Sequence, residues 1–318
     1  LYDVRRLQTF AKVIELGSVS DAADELSFTP SAVSQQLKKL EAEVGLQLVW
    51  RTQNGLVPTE AGLVLAEHTR RILRQLAAAR ADISDLAAGR VGSLSVGAFP
   101  TTAASFLPLA INEFNRRYPN IDLSIKSARL NKLISSLEEG EVQLALLWDY
   151  PWNPLTTEGI ELVEVFTEPF VILVPQSHKL ADRASVKISE LAPEKWVARG
   201  DDHPVVEVIE RSGSRAGFRP KISMYANDYQ ETQAMVSVGI GIAIAPRSAL
   251  SVQHPNVRVL EIEGTPPQRR TLLGQREERA LSPLEMAFKS VILEQGALFA
   301  SQQSGSSRPE VDKRLDSP

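Results

Sequence analysis

The chain of 318 residues contains no cysteine, which excludes disulfides, thiolate metal sites and any thiol redox switch. Its four histidines, His68, His178, His203 and His254, are scattered without the spacing of a metal site, so neither a metal nor another cofactor is expected. No apolar run reaches membrane-spanning length and no signal-peptide pattern opens the sequence. The cytoplasm is therefore the expected location, and a membrane is not an expected partner. The GxSxG, GxxxxGK[ST] and GxGxxG patterns are absent, and with them the common nucleophile and phosphate-binding elements of enzymes. The chain reads as non-enzymatic. Excess positive charge is missing too: at net −4, composition gives no support to nucleic-acid binding.

What is present begins with apolar residues, 43 % of the chain, enough for more than one core. Residues 3–60 read as three short helices and a small β-wing. "DVRRLQTFAKVIEL" places Leu7, Phe10, Val13 and Ile14 on one face and stops at Gly17. "SDAADEL" gives a second helix, capped by Ser20, that packs Ala22, Ala23 and Leu26. "TPSAVSQQLKKLE" opens the third: Thr29 caps, Pro30 suits the first helical position, and Val33, Leu37 and Leu40 form the core stripe. "GLQLVWRTQNGLVPT" then turns at Asn54-Gly55 between two short extended pieces.

Residues 59–88 predict a long linker helix. Leu65, Thr69, Ile72, Leu76, Ala79, Ile83 and Leu86 alternate spacings of four and three, a heptad seam. Such a helix spans about 45 Å at its usual rise, too long to bury the seam in so small a neighbour. A self-associating coiled coil is expected in preference to a helix packed on its own domain. Gly89 and Gly92 end the rod.

Residues 93–300 alternate strands and helices, the pattern of parallel βαβ units. Two similar sets predict two lobes, the first about 93–165 with 265–300, the second about 166–264, and a ligand cleft between them. "AASFLPLAINEFNRRY" reads as one helix, and "IELVEVFTEPFVILVP" as two extended segments broken at Pro169. Residues 302–318 are polar and expected to be disordered. The fold class is an α/β domain of two lobes, preceded by an all-α winged helix-turn-helix and a long linker helix.

Residues 20–39 carry the helix-turn-helix, and its second helix holds no acid before Glu41. That is the requirement for entering a major groove. Ser34 and Gln35 suit base edges and Lys38 a phosphate. Thr29, Pro30 and Ser31 sit at the helix start, where unpaired N–H groups attract phosphate, and Arg51 on the wing can reach the backbone or minor groove. The competing reading is a solvated face on a helical bundle. Charge favours it, since residues 1–62 hold six bases and eight acids, so any positive field must be local.

"SVSDAADELSFTPSAVSQQLKKLEAEVGLQLVWRTQNGLVPTEAG" resembles the amino-terminal signature of the LysR-type transcriptional regulators. The serine-opened helix, the alanine pair, "AVS", "LE" and "TEAG" stand in register. "INEFNRRYPNIDLSI", "LEEGEVQLALL", "VPQSHKLA" and "VSVGIGIAIAP" follow in the order of that family's effector domain, so the resemblance covers Val4 to about Ala300. Thr29 departs from a frequent glutamine, Val49 from a frequent phenylalanine and Asn54 from a frequent base, which questions one base or phosphate contact and predicts weaker wing anchoring.

The resemblance implies sequence-specific binding of double-stranded DNA, a homodimer through the linker helix and a homotetramer on DNA. It also implies a domain like a periplasmic solute-binding protein, with a small-molecule effector in its cleft. By position, that cleft would be lined by Thr101, Thr102, Ser127, Arg129, Asp202, His203 and Asn227. Thr101 and Thr102 fall at a helix start, where hydroxyls and N–H groups either hold a carboxylate or cap the helix. Arg129 either pairs with an anion or stays solvated. Asp202 and His203 would make the cleft polar or pH-sensitive. Asp228 with Glu231 is explained as a capping box, leaving Asn227 as a contact. Together these favour a small organic acid or amino acid. The alternative, a solute-binding protein without a DNA role, needs neither the helix-turn-helix nor the rod.

Overall fold

The structure, a computed structural model, describes residues 2–52, 55–87, 93–200, 204–277 and 279–304. It divides into two units, residues 1–91 and, for the most part, residues 92–318. In the first unit, helix α1 (Val4–Leu16) starts where the Asp3 carboxylate accepts the Arg5 N–H at 2.8 Å and ends at Gly17 in the left-handed region. Helix α2 (Val19–Glu25) is capped by Ser18, whose Oγ accepts the Asp21 N–H at 3.3 Å. The expected cap, Ser20, lies inside the helix: Ser18 has the extended backbone that a cap requires. Helix α3 (Pro30–Val44) begins as the sequence predicts, with the Thr29 hydroxyl accepting the Ala32 N–H at 3.2 Å.

Strands β1 (Val49–Thr52) and β2 (Gly55–Pro58) form the antiparallel wing, pairing Arg51 with Leu56. Gly55 has φ +119°, and a Cβ there would lie 2.6 Å from the Gly17 carbonyl oxygen, so only glycine fits. Asn54, the other half of the expected turn, lies outside the described residues. Helix α4 (Glu60–Ala87) follows, with the Thr59 hydroxyl accepting the Gly62 N–H at 2.9 Å and donating to the Gln47 carbonyl at 2.8 Å. Leu7, Phe10, Val13, Val33, Leu37, Leu40, Leu48 and Ala66 close the core of this unit. Among its described side chains, the seam of α4 meets that core at its start: Leu65 packs against it and Thr69 is buried, whereas Ile72, Leu76 and Ile83 are 42 %, 47 % and 66 % exposed.

The second unit is built on a mixed sheet. Strands β3 (Ser93–Ala98), β4 (Asp122–Ser127) and β5 (Leu144–Asp149) are parallel, in the order β4-β3-β5. Strand β6 (Ile160–Pro175) is continuous through Pro169, against the expected break. The reason is a change of partner. Up to Pro169 it pairs with β12 (Gln268–Arg276), and from Phe170 it pairs with β10 (Ala243–Pro246) and then β11 (Val257–Ile262). The missing N–H of Pro169 falls at that handover, and the Phe170 N–H donates to the Pro267 carbonyl at 2.9 Å. Antiparallel β12 also pairs with β5, so the sheet is not wholly parallel. A short β7 (Ser185–Val186) joins β11, while β8 (Lys195–Arg199) and β9 (Lys221–Ala226) are parallel to each other.

The segment expected as one helix is two, α5 (Pro100–Ala104) and α6 (Leu107–Arg117), because Pro108 has no N–H and is tolerated only in a first turn. Helices α7 (Leu130–Glu138), α8 (Val205–Arg215), α9 (Tyr229–Ser237) and α10 (Pro283–Ser304) complete the unit. Helix α10 reaches Ser304, so residues 302–304 are helical rather than disordered, and residues 305–318 lie outside the described residues. Phe106, Phe166 and Phe299 meet at 5.0–5.5 Å and tie α6, β6 and α10 together. Among the described residues no helix is long and apolar enough to cross a membrane.

Candidate functional site

Helix α3 separates its faces cleanly. Val33, Leu37 and Leu40 are buried, while Thr29, Pro30, Ser31, Gln35 and Lys38 are exposed and Ser34 is half-buried. Ser31, Gln35 and Lys38 lie at spacings of four and three, one ridge of small and basic groups. The acids that follow are occupied elsewhere. Glu41 turns back to accept the N–H groups of Leu48 and Val49 at 2.9 and 3.4 Å, fixing the start of the wing, and Glu43 pairs with Arg6. Glu15 and Glu25 flank Lys12. Four of the eight acids are thereby engaged elsewhere, and the ridge of Ser31, Gln35 and Lys38 itself carries none. Arg51 is exposed on the wing.

A cavity of about 600 Å³ opens in the second unit at the carboxyl ends of β3, β4, β5 and β8, the position where such sheets hold ligands. Thr101 and Arg129 line it. The Thr101 hydroxyl accepts an N–H from Arg269 Nη1 at 3.1 Å. Thr102 is fully buried and does not line the cavity, since consecutive residues of α5 point about 100° apart. Ser127 and Asn227 are exposed and away from the cavity, and Asn227 donates to Glu231 at 3.0 Å. Glu231 also accepts the Asn227 N–H, which completes the cap of α9. Asp202 and His203 lie outside the described residues.

Several lining residues escaped the sequence reading: Tyr150, Asp149, Trp148, Arg199 and Arg269. Arg269 is 1 % exposed and donates to Glu168, itself fully buried, at 2.7 Å. Ser248 joins them, its N–H and hydroxyl donating to Glu168 at 2.7 and 2.9 Å, and the guanidinium lies 4.9 Å from the Phe99 ring centre. A buried pair so fully hydrogen-bonded is costly to break. Asp149, 3 % exposed, is neutralised by Arg270 through two bonds of 2.6 and 2.7 Å and accepts the Leu155 N–H. Burial raises the ionisation of Tyr150 well above the ordinary phenol range and pushes Tyr229 up to about 12, so both rings are neutral donors near pH 7. Nothing local singled out Arg269 or Glu168, because β12 also holds Arg270 and Arg276 and β6 also holds Glu161 and Glu164; only the tertiary pairing shows which of these charges is buried and so needs a partner.

Comparison with known proteins agrees with this geometry. Residues 4–63 match the family model of the bacterial regulatory helix-turn-helix protein, lysR family, and residues 87–297 match that of the LysR substrate binding domain. The RuBisCO operon transcriptional regulator of Allochromatium vinosum is 28 % identical over 296 residues, covering 92 % of this chain and 96 % of that protein. A hydrogen peroxide-inducible genes activator of Pectobacterium carotovorum is 29 % identical over 258 residues, covering 80 % and 83 %. The solved structure of full-length CbnR with its target DNA has a TM-score of 0.55 at 25 % identity and covers 93 % of this chain and 100 % of that one. These matches span both units in order, and the chain belongs to the LysR-type transcriptional regulators, DNA-binding proteins with an effector-binding substrate domain.

Proposed function

We propose that this regulator reads its operator with Ser34 and Gln35 on base edges, anchors α3 on phosphates through Thr29, Pro30, Ser31 and Lys38, and steadies the wing with Arg51. The acid-free ridge of α3 is the observation that carries this reading. The working form is a homodimer joined along the bare seam of α4, Ile72, Leu76 and Ile83, and a homotetramer on DNA in the cytoplasm. A small organic acid or amino acid in the 600 Å³ cavity sets the state of the bound protein, with Thr101 and Arg129 among its contacts. Footprinting on the chain's own upstream DNA, with and without added carboxylates, tests the proposal. Protection of a specific site that an acid alters supports it, and protection of no site, or equal protection of all sequences, removes the operator assignment.

A further inference from the structure

Two residues that line the cavity carry a buried donor with no acceptor. Tyr150, just past the end of β5, is 1 % exposed and its Oη has no hydrogen-bond partner. Arg199, the last residue of β8, has a buried Nε that is likewise unpartnered. Both line the same cavity. A buried donor left unsatisfied costs free energy comparable to a lost hydrogen bond, so a native structure keeps one only for a reason.

Neither group is able to look elsewhere. The Tyr150 ring stacks on Trp152 at 4.7 Å and 2° and lies 5.4 Å from Trp148, which holds its hydroxyl in place. The Arg199 guanidinium lies 5.6 Å from the ring centre of Tyr229, a face that attracts a cation but does not neutralise it. Among the described lining residues, Arg269 is balanced by Glu168 and Asp149 by Arg270, while Arg129 and Lys132 bring further positive charge to the same cavity. The charge that awaits a partner is therefore positive.

We propose that the effector carries a carboxylate bound between Tyr150 and Arg199, accepting the phenolic O–H and the Nε–H, so that the ligand itself ties the β5 wall to the β8 wall. The proposal rests on the reading that an acid occupies this cavity, and it narrows that reading. The only carboxylate lining the cavity among the described residues is Asp149, held by Arg270 and the Leu155 N–H, so an ammonium group finds no free acid there. Among the described residues the lining therefore favours an organic acid over an amino acid. Its body faces the rings of Phe99 and Trp148.

Thermal shift and calorimetry on the full chain test this with a set of carboxylic acids, each beside its primary amide and α-amino acid. 3-Phenylpropanoate, 3-phenylpropanamide and phenylalanine form one such triplet. Acids are expected to bind best, and Arg199→Gln and Tyr150→Phe each to weaken the best acid by about tenfold or more without changing its amide. Tyr150→Phe is expected to melt no lower than wild type without ligand, because its hydroxyl bonds to nothing. The anchor is overturned if either variant binds the acid at wild-type strength, if the amino acid outbinds the acid, or if Tyr150→Phe lowers the ligand-free melting temperature. If acids bind and only Thr101→Val abolishes it, the anchor falls while the acid reading stands. If only uncharged molecules bind, or nothing in the set does, both fall.

Discussion

Gln35 and Lys38 sit one turn apart on the exposed ridge of α3 and have different expected roles, which makes them separable by experiment. Gln35→Ala should relax base discrimination by about 1–3 kcal/mol for a lost bidentate contact. Lys38→Ala should weaken binding to every sequence and flatten its salt dependence. Titrations on operator and scrambled DNA at two salt concentrations check both, and unchanged values for both would show that another face meets the DNA. In the second unit, Thr101 and Thr102 are adjacent but differ in circumstance. Thr102 is fully buried with its hydroxyl unpaired, so Thr102→Val should hold or raise stability and leave effector affinity unchanged. Thr101→Val removes the acceptor of Arg269 Nη1 and should cost about 0.5–1.5 kcal/mol in denaturant unfolding. The sequence brought this pair into view because a strand leading into a helix is a local pattern. It did not separate them, since which side of a short helix faces a cavity is set by distant packing. Tyr150 and Arg199 were harder still to find: nothing near either one in the chain announces that they share a wall.

At the scale of elements, local chemistry was legible and tertiary pairing was not. Thr29, Pro30 and the Val33-Leu37-Leu40 stripe predict α3 because cap, first turn and stripe lie within a dozen neighbouring residues. Strand β6 defeats the same approach, since Pro169 breaks a strand only where its N–H is needed, and here the partner changes at that residue. The "TEAG" element shows a third case, with its motif visible but its reason hidden. A Cβ at Gly62 would lie 2.0 Å from the Leu48 carbonyl oxygen, a backbone atom that moves only with the wing. Gly62→Ala should destabilise the first unit by about 1–3 kcal/mol through overpacking, measured by chemical unfolding. A wild-type midpoint would mean that α4 shifts freely against β1. Further along α4, Leu76→Asp with Ile83→Asp places like charges on the bare seam and should yield monomers by light scattering. An unchanged mass would remove the coiled coil.

For the whole molecule, the order of winged helix, rod and two-lobed α/β domain was readable because each announces itself by a different period, and a change of period marks a boundary. The content of the cavity was not readable, because it is assembled from four strand ends that are far apart in the chain. Composition nonetheless sets one property of the entire protein. Some members of this family sense oxidants with paired cysteines, and this chain has none, so peroxide has no disulfide to form. The remaining oxidisable sulfurs are Met224, Met235 and Met286. Met224 and Met235 pack against a hydrophobic core, where access is restricted, while Met286 is 53 % exposed near the start of α10. Peroxide should therefore oxidise Met286 first, seen by mass spectrometry of peptides, and leave the operator footprint and melting temperature unchanged. Met286→Leu should remove even that reaction. A footprint altered at low peroxide in the wild type and restored by a thiol reductant would contradict this argument, because methionine sulfoxide needs its own reductases and no thiol chemistry exists in the chain.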